Sequence, residues 1–145
     1  MARAYVEGLE IESEWRVSPS VTAGGHASYT YGEQPSTGQP MRRIPPLNDL
    51  ASLRWTSRSA SWVEAGLRFA GAQRRLAPGD VADHRIAPGG TPGWAVVNVH
   101  AGRAFGARFR LTAAAVNLFD KAYRIHGSGI DEYGRSAWVG TQVSF

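Results

Sequence analysis

Apolar and polar residues alternate along most of this chain with a period of two. The alternation is most regular over residues 136–145, SAWVGTQVSF, where Ala, Val, Thr, Val and Phe take every second position. Side chains of a β-strand point to opposite faces at successive residues, so this segment predicts a strand with one apolar and one polar face. Glu10, Glu12 and Glu14 repeat the spacing of two, which suits a strand face and not a helical stripe.

The same reading along the whole chain predicts about seven strands and almost no helix. Turn-forming residues, mainly Gly, Pro, Ser and Asn, interrupt the alternation between these strands. The predicted strands span residues 4–17, 21–31, 47–56, 62–70 and 94–105, a sixth that begins near 108 and includes 115, and 136–145.

The connections between the predicted strands alternate in length. Short turns at 18–20, 57–61 and 106 alternate with longer polar loops at 32–41, 73–93 and 125–135. Outer-membrane barrels have short turns on the periplasmic side, long loops outside, and aromatic residues where the strands meet the two interfaces. Aromatic residues lie near the predicted strand ends at Trp15, Tyr29, Tyr31, Trp55, Trp62, Trp94 and Phe105.

The predicted fold class is therefore all-β, an antiparallel up-and-down transmembrane β-barrel segment. About seven strands make an incomplete barrel, because the smallest single-chain barrels have eight. The alternative is a soluble antiparallel β-barrel or sandwich that binds a small ligand or a protein partner, with the aromatic residues capping its core. The two predictions differ in whether the apolar face meets lipid or is packed inside.

Composition narrows the classes of function. The 145 residues have the size of one domain, contain no cysteine, and include no run of about 18 apolar residues that could form a spanning helix. The mean hydropathy of −0.28 is compatible with a barrel, whose inward half is polar. The net charge is +4, but Lys121 is the only lysine and the arginines are scattered, so no nucleic-acid partner is predicted.

Three segments resemble TonB-dependent outer-membrane receptors. NLFDKAYRIHGSGIDEYGRSAWVGTQVSF, residues 117–145, resembles the family's carboxyl end, where an Asn-Leu-Phe-Asp-Lys-x-Tyr stretch precedes the last extracellular loop and a closing strand that ends on phenylalanine. RIPPLNDLASLRW, residues 43–55, resembles its Arg-x-Pro strand entry, and YVEGLEIESEW, residues 5–15, its Gly-x-Glu strand. Together they cover nearly the whole chain in the family's order.

The resemblance implies a receptor in the bacterial outer membrane for energy-coupled uptake of a scarce solute, such as a ferric siderophore or cobalamin. The resemblance also implies the fold of such receptors, a barrel of about 22 strands whose lumen is plugged. Residues 1–145 are then expected to be its carboxy-terminal portion, with the plug domain and the earlier strands outside this chain. The implied partners are those strands, the plug, the TonB complex through the plug, and outer-membrane lipid. No enzyme activity and no cofactor are expected.

Candidate site residues fall into two groups. The extracellular loops carry recognition in such proteins, and a cationic side chain there could bind an anionic chelate through charge-assisted hydrogen bonds. The candidate ligand contacts are His84, Arg85, Trp94, His126 and Arg135, with Asp131 and Glu132 beside the last two. The residues expected to face the lumen are Glu10, Glu12, Glu14, Glu64 and Arg68, for which a hydrated wall without a specific role is the alternative.

Other site chemistry has little support in the sequence. His26, His84, His100 and His126 lack the close spacing of zinc motifs, so no metal site is predicted. The glycines of APGGTPG precede a strand and no Lys-Ser/Thr pair, unlike a phosphate-binding loop. No nucleophile elbow is present.

Overall fold

The computed structural model describes residues 3–145, which form one antiparallel sheet and a single helical turn. The elements are β1 Tyr5–Ser18, β2 Val21–Gln34, β3 Gln39–Pro40, β4 Asn48–Thr56, β5 Ser61–Ala70, α1 Pro78–Val81, β6 Trp94–Phe105, β7 Phe109–Val116 and β8 Ser136–Val143. The sheet order is β1-β2-β4-β5-β6-β7-β8, with the short β3 paired to the end of β2.

The all-β antiparallel fold and the seven long strands are confirmed, and the differences lie at the strand ends. β2 continues to Gln34 and pairs there with β3, so the predicted loop 32–41 is in part a hairpin extension. Segment 73–93, predicted as loop throughout, contains the helical turn α1, which begins at Pro78, a residue whose fixed φ suits a first helical position. β8 ends at Val143, two residues before the predicted end.

Strand register keeps the apolar positions on one face across the whole sheet. Leu53 lies opposite Ala65, which lies opposite Val99 and, through it, Ala115. Because side chains alternate along every strand, the neighbouring positions form a second, polar face. Glu64, for example, lies between Arg54 and His100 on that face.

The apolar face is exposed and does not enclose a core. Leu9 is 60% exposed, Leu53 53% and Val139 72%. Monomeric soluble proteins seldom expose contiguous apolar patches of this kind, whereas a barrel wall presents such a face to acyl chains. The packed interior that a soluble barrel or sandwich requires is therefore not present in residues 3–145.

The sheet has two free edges within the described residues. β1 pairs only with β2, and β8 pairs only with β7. Unpaired strand edges do not occur in the hydrocarbon region of a membrane, where each unsatisfied backbone group costs several kcal/mol. The prediction of an incomplete barrel is confirmed.

A search of residues 3–145 for a helix long and apolar enough to cross a membrane found none.

The antiparallel order brings the three long connections to one end of the sheet and the three short turns to the other. The long connections are residues 35–47, which include β3, residues 71–93, which include α1, and residues 117–135. These are called loop A, loop B and loop C below. Their clustering creates the only folded layer outside the sheet among the described residues, and the candidate site lies there.

Candidate functional site at the long-loop end of the sheet

A buried carboxylate attaches loop B to loop A. Asp80 is 1% exposed, and its oxygens accept hydrogen bonds from the backbone N–H groups of Arg43 and Ala77, each at 3.2 Å. The guanidinium Nε of Arg42 lies 3.7 Å from the same carboxylate. Buried carboxylates are tolerated where hydrogen bonds and an opposite charge replace water, and Asp80 has both.

Asp83 lies within 4 Å of arginines from both loops. Its Oδ2 lies 3.7 Å from Arg42, 3.3 Å from Arg43 and 2.7 Å from Arg85. Arg85 also donates from Nε to Oδ1 of Asp83 at 2.9 Å, so both ends of its fork are occupied. The ligand contact predicted for Arg85 stays a prediction, and its guanidinium already donates to a neighbouring carboxylate from both ends. His84 is exposed on the same loop.

Arg75 attaches loop B to the end of β2. Arg75 donates to the backbone carbonyl of Gly32 at 2.7 Å, to the hydroxyl of Tyr31 at 2.9 Å and to Glu33 at 2.5 Å. Its guanidinium also lies 4.1 Å from the centre of the Tyr31 ring. Hydrogen bonds between ionised groups are about twice as strong as neutral ones, so this cluster holds the first half of loop B.

The Asn-Leu-Phe-Asp stretch has a structural role at the start of loop C. Asn117 is 1% exposed and has a φ of 51°, a left-handed conformation that asparagine tolerates better than most residues. Its side chain accepts from the N–H of Lys121 at 2.9 Å and donates to the carbonyls of Lys121 and Tyr133 at 2.9 and 3.2 Å. Asn117 therefore holds both ends of loop C together.

The remaining loop C candidates make contacts within the loop. The backbone N–H of Arg135 donates to Asp120 at 2.7 Å, while the residue itself is exposed. Asp131 pairs with Arg124 at 2.8 Å. Glu132 donates its backbone N–H to the carbonyl of Tyr123 at 2.9 Å. Their predicted ligand contacts stay predictions.

Two of the predicted contacts, Trp94 and His126, come together between loops B and C. The ring centres of Trp94 and Tyr123 lie 4.4 Å apart with the rings tilted by 44°, and His126 Nδ1 lies 2.8 Å from the hydroxyl of Thr91. His126 Nε2 is buried and has no hydrogen-bond partner. Both residues line a cavity of about 380 Å³ that opens between the loops and the polar face of the sheet. A second cavity, of about 420 Å³, lies on the Thr91 and Tyr123 side of Trp94.

Burial lowers the pKa of His126 below its usual 6.5, and the charge of Asp80 acts to a smaller extent in the opposite direction. The neutral imidazole is thus favoured in the folded state, whereas an unfolded loop protonates near 6.5. Stability from this group is present above pH 6.5 and is lost as pH falls from there toward the lowered pKa. We expect acidification from pH 7.5 to 5.5 to loosen loop C, measured by hydrogen exchange of its amides.

The variant His126→Gln should remove this pH effect. The opening of loop C, taken from exchange rates corrected for the intrinsic pH dependence of amide exchange, should then be the same at pH 7.5 and 5.5. His84→Gln is the matched control, because His84 is exposed and should leave the wild-type pH profile unchanged. An identical profile in wild type and His126→Gln would contradict the assignment.

The residues predicted to face the lumen lie on the polar face of the sheet. Glu10, Glu12 and Glu14 are exposed on the edge strand β1. Glu64 pairs with Arg54 at 3.3 Å, and the Arg54 guanidinium lies 4.1 Å from the centre of the Trp62 ring. That this face lines a lumen stays a prediction.

Among residues 3–145, no group of three or more His, Cys, Asp or Glu side chains is arranged to hold a metal ion. The sequence reasoning did not identify the carboxylates and arginines that join the loops. The Pro-Gly-Asp segment preceding Val81 is predicted as loop from the sequence, although a proline followed by an acidic residue is also a start signal for a helical turn. The missed residues are Arg42, Arg43, Arg75, Asp80, Asp83 and Asn117.

Comparison with known proteins gives one family. A family model described as TonB dependent receptor-like, beta-barrel, matches residues 2–118. The iron-regulated outer membrane virulence protein of Vibrio cholerae serotype O1 is 29% identical over 147 residues, which cover 98% of this chain and 22% of that protein. The chain thus spans less than a quarter of the curated relatives it matches.

Solved structures share the fold. The copper transporter OprC superposes with a TM-score of 0.86 at 20% identity, over 99% of this chain and 24% of that one. The ferric yersiniabactin uptake receptor FyuA from Yersinia pestis gives 0.75 at 19% identity, again over 99% and 24%. The ferric-catecholate import receptor Fiu from E. coli K12, in its closed form, gives 0.71 at 20% identity, over 97% and 21%. The chain belongs to the TonB-dependent receptor-like β-barrel family, and its place is the bacterial outer membrane.

Proposed function

We propose that this chain is the carboxy-terminal portion of a receptor barrel for energy-coupled uptake of a scarce solute, such as a ferric siderophore or cobalamin. The observation that carries the proposal is the open sheet with one exposed apolar face and a layer of interlocked loops at one end. An apolar face suits lipid, and long loops above a wall suit recognition of a solute arriving from outside.

The open edges define the first partners. β1 and β8 each leave a row of backbone groups unpaired, which a closed barrel would satisfy. The remaining barrel strands and outer-membrane lipid are therefore the direct partners in this proposal. A plug domain inside the barrel, and the TonB complex acting through that plug, are the further partners that family membership supports.

The names of related proteins support the class of solute in this proposal. Their names refer to iron regulation, to copper, to ferric yersiniabactin and to ferric catecholate. These names favour a metal or metal chelate and do not agree on one. The proposal gives the chain a role in binding and passage, and assigns no catalysis to it.

Uptake measured in whole cells tests the proposal. Deleting the gene that contains this chain should abolish TonB-dependent uptake of at least one solute in a panel of radiolabelled ferric chelates, copper and cobalamin. Complementation with the wild-type gene should restore uptake, and complementation in a strain lacking TonB should not. Unchanged uptake of every solute in the panel, or recovery of the protein in the soluble fraction, would contradict the proposal.

A further inference from the structure

The cavity beside His126 lies between the sheet and the long loops. Its floor is the polar face of the sheet, including Leu50 and Arg68, and its rim is built from loop A and loop C through Pro45 and Ile125. At about 380 Å³ it is within the size range of small-molecule sites. It lies where a solute recognised by the loops would enter the polar side of the wall.

Arg68 is an uncompensated cation at this cavity. In the sheet register it lies opposite Leu50 and Val96, which are both apolar. No carboxylate of residues 3–145 comes within ion-pairing distance of it, whereas Arg54, on the same face of the neighbouring strand β4, pairs with Glu64 at 3.3 Å. An arginine whose planar fork is free is the side chain best suited to bind a carboxylate in bidentate fashion.

Arg68 is exposed, and apolar and aromatic groups lie beside it. The guanidinium of Arg68 lies 6.0 Å from the centre of the Trp94 ring, and Trp94 is itself held by its tilted contact with Tyr123, whose ring centre is 4.4 Å away. Leu50 and Pro46 supply further apolar wall. A fixed aromatic face beside a free cation suits a ligand whose ring carries the negative group.

The other charged group of the cavity does not cancel Arg68. The side chain of Asp49 is 7% exposed and lies 3.8 Å from His26 Nδ1. It also accepts from the backbone N–H of Leu50. His126, on the rim, contributes a buried Nε2 that lacks a partner. Asp49 therefore has local partners, while the Arg68 guanidinium and His126 Nε2 do not.

We propose that this cavity is a subsite for an aromatic carboxylate, with Arg68 binding the carboxylate and Trp94 packing against the ring. In a receptor of the proposed function, the aromatic carboxylate would be a fragment of the solute or of its chelating ligand. The inference thus rests on the proposed function for its biological meaning, and on the cavity alone for its chemistry. It assigns anion binding to Arg68, and not to Arg85, whose guanidinium is already held by Asp83.

Benzoate and its neutral analogue benzamide form a matched pair of probes. We expect benzoate to bind the detergent-purified natural gene product that contains this chain, detected by saturation-transfer NMR and titration, and benzamide to bind at least fivefold more weakly. Arg68→Gln should weaken benzoate binding at least tenfold and leave benzamide binding unchanged. Trp94→Leu should weaken both probes.

Arg85→Gln is the control variant, and it should alter benzoate affinity less than twofold. Circular dichroism and heat-modifiable migration of each variant show that the barrel is folded. Equal affinity of the wild type for the two probes, no binding of benzoate, or unchanged benzoate binding by Arg68→Gln would each overturn the proposal. Failure of the uptake experiment with Arg68-dependent benzoate binding intact would overturn the transport function and leave the subsite standing.

Discussion

Replacing Asn117 with alanine is expected to release loop C from the end of the sheet. The change leaves three backbone groups without their partner, the N–H and carbonyl of Lys121 and the carbonyl of Tyr133. Lys121 and Tyr133 are exposed, so water replaces part of each lost bond, and at a net value of roughly 0.5–1.5 kcal/mol for each hydrogen bond we expect about 2 kcal/mol of local destabilisation. The left-handed φ of 51° adds a further cost for alanine.

Hydrogen exchange at the Lys121 amide measures this effect directly, because that N–H donates to the Asn117 side chain. Asn117→Gly separates the two contributions, since glycine loses the same hydrogen bonds without the backbone cost. Asn48→Ala is the matched control: the Asn48 side chain donates one hydrogen bond, to the Pro46 carbonyl at 2.9 Å. Exchange at Lys121 that stays at the wild-type rate in Asn117→Ala would refute the role of Asn117.

Replacing Asp80 with alanine is expected to detach loop B from loop A. The carboxylate is 1% exposed, and its loss leaves the N–H groups of Arg43 and Ala77 without an acceptor and removes one of the two carboxylates that lie 3.7 Å from Arg42. Removing one partner of a buried charged pair typically costs about 3–5 kcal/mol. We expect a value near the lower end, because Arg42 is more than half exposed and can be hydrated.

Limited proteolysis of loop B in the detergent-purified protein is a suitable measurement, since cleavage follows the population of the open loop when opening is fast. Asp80→Asn keeps the shape and an acceptor oxygen, so it should cost less than alanine. Asp131→Ala is the control, because Asp131 pairs with Arg124 while 64% exposed, and exposed pairs contribute less than about 1 kcal/mol. Equal cleavage rates for Asp80→Ala and Asp131→Ala would contradict the role of Asp80.

Strand prediction succeeded where one periodic signal was sufficient. The period of two located the seven long strands within a few residues, because a wall with lipid on one side and water on the other imposes strict alternation. The ends of the strands were located less closely. β2, for example, continues to Gln34 through tyrosine, glycine and glutamate, which do not alternate between apolar and polar. β3 depends on its pairing with β2, and two residues have no periodicity to detect.

Site prediction from sequence was limited by distance along the chain. Trp94 and His126 were named as separate loop residues, and only the fold shows that they line one cavity with Arg68. Arg85 resembled a free cation in the sequence, yet its neighbour Asp83 holds both ends of its guanidinium. The carboxylate of Asp80 reaches Arg43, 37 residues away, and no local pattern encodes such a contact.

The sequence by itself determined the class of protein: alternation fixed the strands and their two faces, and the lengths of the connections fixed which end carries the loops. Tertiary structure alone decided which charges are compensated and which are free. The reason is physical, since the state of an arginine depends on the carboxylates within about 4 Å of it. Strand register and loop packing set those distances, and Arg54 and Arg68, on one sheet face, differ for that reason.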